Sequence, residues 1–97
     1  MHVGPEFPRR GRSAVFALDV LGFAGSSGAL LEASVEHRHP EDAVWTRLAS
    51  FPPVRGTVRS VVAASEIREV LRFRVALSGA ADPAALEFRL GAADWRP

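Results

Sequence analysis

The sequence contains no cysteine. A disulfide framework, a thiolate metal site and a cysteine nucleophile are excluded together. Lysine, asparagine, glutamine and tyrosine are absent too, so every permanently charged basic side chain is an arginine. Apolar runs are short, and none approaches the roughly 18 residues that a membrane span requires. Asp19 and Gly22 interrupt the segment from Ala14 to Ala24, and Gly25 ends it. With a Gly- and Pro-rich stretch before it, that segment does not have the continuous apolar core of a secretory signal. Charge of one sign is also lacking. Twelve basic residues face eleven acidic ones, for a net charge of +1. A field that weak gives no whole-molecule attraction for nucleic acid or another polyanion.

What is present fits one small domain. The chain has 97 residues, 47% hydrophobic and 24% charged. Intrinsic disorder needs lower hydrophobicity and higher net charge than this. A chain of this size buries only about 60–65% of its unfolded surface, so the core is modest.

Residues 1–12 carry Pro5, Pro8, Gly4 and Gly11 together with Arg9, Arg10 and Arg12. Proline favours extended backbone and nothing periodic appears, so this segment is expected to be an extended N-terminal arm outside the core. Residues 13–97 then form the folded domain. Phe16, Leu18 and Val20 share one face at period two, which predicts a strand over 14–21. The glycines and serines of 22–28 mark a loop. Leu31, Ala33 and Val35 alternate with Glu32, Ser34 and Glu36, predicting a strand over 29–38. His39-Pro40-Glu41-Asp42 is a turn, with proline presetting φ at its second position. Val44 to Leu48 returns as the hairpin partner, with Trp45 as expected core anchor. Thr57 to Val62 is β-branched and forms another strand. Ser65 to Leu71 is open to a helical or an irregular turn. Leu71, Phe73, Val75 and Leu77 then alternate with Arg72, Arg74 and Ala76. Leu86, Phe88 and Leu90 make the last strand, and 91–97 is a tail carrying Trp95. Five to seven short strands and no convincing long helix predict an all-β fold, a small antiparallel β-sandwich of jelly-roll or Ig-like type. Its expected core holds Leu18, Leu31, Val35, Trp45, Leu71, Phe73, Val75 and Phe88.

Chemistry-bearing residues are sparse. His37 and His39 sit two apart near Glu41 and Asp42, the residue types of a metal site. Polar residues also collect wherever a strand ends in a solvated turn, and the expectation is that these histidines bind no metal and move no proton. Gly25-Ser26-Ser27-Gly28 lacks both the G-x-S-x-G elbow of a nucleophile and a following helix to bind phosphate. No catalytic residue and no cofactor is expected. Arg72 and Arg74 lie on the face opposite Phe73, where arginines lie flat and pair with acids such as Glu32, Glu36 or Glu87. The residues expected to meet a partner are Phe7, Arg9, Arg10, Arg12 and Trp95. Phe7 and Trp95 are aromatics near the chain ends that an isolated sandwich would leave in water.

The order Phe16-Ala17-Leu18-Asp19-Val20, Gly/Ser loop, Leu31-Glu32-Ala33-Ser34-Val35-Glu36-His37, then Trp45-Thr46-Arg47-Leu48 forms a familiar pattern. Leu71-Arg72-Phe73-Arg74-Val75-Ala76-Leu77-Ser78-Gly79 and Leu86-Glu87-Phe88 complete it. It resembles the small β-sandwich structural proteins of tailed bacteriophages and related particles such as gene transfer agents. The resemblance spans roughly Ser13 to Leu90. Two positions depart from it, since Pro40-Glu41-Asp42-Ala43 lacks the usual turn glycine and Val70 stands where an aromatic is common.

That resemblance implies a non-catalytic virion structural protein, assembled in the bacterial cytoplasm. It would be a capsid decoration or minor head or tail protein, with the major capsid protein or other virion proteins as partners. A homo-oligomer or symmetric array suits such a domain, because repeated weak contacts gain strength by avidity. Neither a nucleic-acid nor a membrane partner is expected. The alternative is a carbohydrate-binding module on a tail or cell surface, which would display exposed aromatics on one face.

Overall fold

The computed structural model describes residues 2–23, 30–78 and 86–97, and for Phe23 and Leu86 the backbone alone. The expected Gly/Ser loop thus lies largely outside the described residues. The fold is all-β, with two antiparallel sheets packed on one core.

The strands are β1 (His2–Val3), β2 (Phe7–Pro8), β3 (Ser13–Phe23), β4 (Leu30–Arg38), β5 (Thr46–Ser50), β6 (Val58–Ser65), β7 (Val70–Ser78), β8 (Leu86–Leu90) and β9 (Asp94–Arg96). One sheet runs β1-β7-β4-β5. β2 pairs with β7 at Leu71 and Val70, where β4 occupies the other side, so β1 and β2 form one interrupted edge strand. The other sheet runs β6-β3-β8, and β9 continues along the β8 side of β3. Four strand positions therefore lie over three.

Alternation decides which side chains are buried. Phe16 and Leu18 on β3, Leu31 and Val35 on β4 and Leu71 on β7 are all fully buried, and they come from both sheets. Each such side chain contributes about 1.5–3 kcal/mol by leaving water. Along one flank the chain seals itself. After β5 it stays on the edge of β4, with Phe51 N–H on the Ala33 carbonyl at 3.0 Å. Val54 and Leu31 exchange two bonds of 2.9 Å, and Phe51 and Val54 are buried under them.

Several expectations change. The N-terminal segment is extended, but it does not lie outside the core. Phe7 packs on the core cluster, with its ring 5.4 Å from that of Phe73. Its partner is a strand more than sixty residues away, which no local periodicity announces. The arm then passes over the Arg96 carbonyl at Gly11, where a Cβ would collide with that oxygen. Trp45 is no core anchor. It precedes β5, which starts at Thr46 rather than Val44, and its ring lies under two guanidinium groups. Residues 66–69 form an irregular turn with Glu66 at φ 55°, not a helix, and drop Ile67 into the core. The tail is no tail but β9, and Trp95 folds back onto Phe16 with ring centroids 6.4 Å apart. Arg72 and Arg74 both reach Glu36, at 2.8 and 3.8 Å.

Candidate interaction cleft

The flank opposite Phe51 and Val54 is unsealed. There β7 turns Phe73 and Val75 toward the other sheet, and β8 turns Phe88 and Leu90 toward them. Among the described residues the three-strand sheet has no fourth strand beyond β8 to cover the overhang. The result is an apolar cleft between the two interrupted edges. One part, of about 350 Å³, is lined by Phe7, Phe73, Val75, Phe88 and Leu90, with His2, Gly4 and Pro5 at its end. A second part, of about 480 Å³, shares Phe7, Phe73 and Leu90 and runs on to Trp95, Ala92 and Arg10. Behind the lining, Phe16 meets Phe73 edge-on, 6.0 Å away at 87°. Among the described residues no carboxylate lines either part, and Arg10 is the one permanent charge there.

The strand beside the cleft has an open backbone edge. Gly91 N–H donates to the Ala17 carbonyl at 3.1 Å, so that residue points its amide at β3. Amide direction alternates along a strand. Arg89 therefore also bonds toward β3, opposite Asp19, whereas the N–H and C=O of Phe88 and Leu90 point away from it. Those groups border the cleft and meet no strand among the described residues.

The five residues expected to meet a partner separate into two sets. Phe7, Arg10 and Trp95 come together at one cleft. Arg9 is engaged within the chain, its guanidinium donating to the Ile67 carbonyl at 2.8 Å and its N–H to the Glu69 carbonyl at 2.9 Å. Arg12 lies by a neighbouring hollow with Ser65, Glu66 and Pro97, its backbone N–H on the Arg96 carbonyl at 3.1 Å. Phe73, Phe88 and Leu90 were legible as inward positions. That no described strand lies beyond β8 was not.

The histidine cluster forms a clamp. His37 is buried, and its Nδ1 accepts the Arg68 backbone N–H at 3.0 Å. His39 lies past the end of β4 and donates its backbone N–H to Asp42 Oδ2 at 2.8 Å, while Arg68 reaches the same oxygen at 3.1 Å. Burial pushes the His37 pKa below its usual 6.5, helped by Arg68 and His39 and opposed by Asp42. The His39 amide, and after it the Arg68 cation, hold the Asp42 carboxyl below its usual 3.8. Among the described residues no group of three His, Asp or Glu side chains could hold a metal ion. Nor does any helix there have the length and apolarity to cross a membrane.

Trp45 completes the outer face of the four-strand sheet. Arg72 lies 4.3 Å and Arg38 5.0 Å from its ring centroid, and Arg72 also bonds Glu36. In this ladder the Arg72 guanidinium is satisfied by Glu36, whereas the buried Arg38 Nε has no hydrogen-bond partner among the described residues. Compared with known protein families, curated proteins and solved structures, the chain matches none.

Proposed function

We propose that this protein is a non-catalytic structural component of a tailed-phage-like particle, a decoration or minor head or tail protein seated on the major capsid lattice. The observation that carries this reading is the apolar cleft beside an open strand edge, on a chain whose residue pattern resembles that of such proteins. A cysteine-free domain of net charge only +1, with one unsealed flank, is suited to docking against a repeated surface. Apart from the breaks within one edge between β1 and β2 and between β8 and β9, every connection crosses between sheets except β4 to β5, which favours a jelly-roll over an Ig-like sandwich.

A carbohydrate-binding module would need aromatic rings on display. Here Trp45 is engaged by two guanidinium groups and Trp95 leans on Phe16. The test is fractionation of particles from the host that carries the gene. The protein should band with the major capsid protein at a fixed ratio on a density gradient. If it stays with free protein at the top, the assignment fails.

A further inference from the structure

We infer that the cleft is a strand slot, which a partner fills with an extended segment whose alternate residues are apolar and whose leading end is acidic. The inference rests on the particle role proposed above and names the kind of partner segment involved. Two independent observations converge. The backbone groups of Phe88 and Leu90 face outward from β8, ready to pair with an added strand. Next to them lies the vacant fourth position of the three-strand sheet, roofed by Phe7, Phe73 and Val75 of the larger sheet. A strand laid there would turn every second side chain into the cleft and the others to solvent.

Charge sets the direction. The cleft lining holds no acid, and its charged end is Arg10, which forms no ion pair among the described residues. β8 runs toward that end, since Leu90, Ala92 and Trp95 line the same part as Arg10. An incoming strand antiparallel to β8 therefore starts at Arg10, and its first residues are the acidic ones.

The probe is a synthetic peptide of two glutamates followed by alternating valine and threonine, titrated into the full-length protein and followed by amide NMR and hydrogen exchange. The amides of Phe88 and Leu90 should shift and gain protection. Arg10→Glu should weaken binding about fivefold or more, because it replaces attraction by repulsion at the charged end of the slot. Ala92→Asp should weaken it as well. Both positions are exposed, so the fold is kept. A peptide with lysines in place of the glutamates should bind less tightly than the acidic one.

Absence of binding at millimolar peptide overturns the inference, and so do shifts confined to another face or affinity indifferent to Arg10→Glu. Occupation by decanoate alone would make the cleft a lipid site. Concentration-dependent dimerisation through it would make the occupant a second copy. Either result overturns it too. Particle association without peptide binding sinks only the strand slot, whereas peptide binding by a protein missing from particles sinks only the particle role.

Discussion

The two flanks of this sandwich solve the same problem differently. On one, the chain leaves β5 without leaving the edge of β4, and Phe51 and Val54 plug the gap between the sheets. On the other, both edges are interrupted. Gly4 to Glu6 separate β1 from β2, and Gly91 to Ala93 separate β8 from β9. Pro5 and Pro8 remove backbone donors from the first of these edges. Broken, proline-bearing edges discourage indiscriminate pairing with other chains. The short stretch from Phe88 to Leu90 remains open. A flank that is closed to most strands and open at one place is what selective docking needs.

The largest effect separating the flanks should come from Leu31→Ala. Leu31 is fully buried beneath the Val54 bridge on the sealed side. Truncating such a residue costs about 2–5 kcal/mol, a large part of what a domain this small can spare. Urea unfolding should show a sharply lower midpoint or a chain unfolded in water. A loss below about 1 kcal/mol would mean that the sealed flank is no better packed than the open one.

Phe7→Ala tests the open flank. Phe7 is half-buried and packs against Phe73. Losing part of a phenyl's burial should cost about 1–2 kcal/mol, less than Leu31→Ala and more than a free arm would show. Unchanged stability would return residues 1–12 to the status of an arm outside the core.

Trp45→Ala should cost less again, about 1 kcal/mol, the worth of stacking cations on a half-buried ring at the surface. A core tryptophan would cost about 3–5 kcal/mol. Calorimetry decides between the two locations, and the expectation of a core anchor returns if the larger loss is found.

These three positions show what was legible in the sequence. Leu31 belongs to a run of strict alternation, and alternation reports which face a side chain takes because successive side chains point to opposite faces, although Ser34 and Glu36 on the other face of β4 are buried as well. The same rule located Phe16, Leu18, Val35, Leu71 and Val75. Trp45 stands outside any alternating run. Its surroundings come from Arg38 and Arg72, residues of two other strands, so aromatic character alone misplaced it. Phe7 has no periodic neighbour either, and what holds it is the register of β2 on β7. The cleft was the least legible of all. Periodicity tells which side chains face inward, but not where a sheet ends, and the open edge of β8 among the described residues is a property of strand order.

The smallest effect concerns acid, and it sharpens the comparison at the arm. His37 Nδ1 accepts the Arg68 amide, and the residues beside Arg68 hold the arm, Ile67 through the Arg9 guanidinium and Glu69 through the Arg9 amide. The groups acting on His37 are Arg68, His39 and Asp42. Its pKa in the fold lies below 6.5, so the unfolded chain takes up its proton first as pH falls. The stability due to neutral His37 is thus complete above pH 6.5 and drains away as pH drops from there through the folded value. Asp42 adds a similar loss only below its ordinary 3.8, which leaves the interval from pH 7 to 5 to His37 among the groups with a shifted pKa. The melting temperature should fall modestly across that interval, and hydrogen exchange at the Arg9 amide should quicken before exchange on β4 does. His37→Asn keeps an acceptor for the Arg68 amide while removing the titration, so its slope should be flatter. Equal slopes in the two proteins would show that the clamp does not titrate, and that acid does not reach the arm through it.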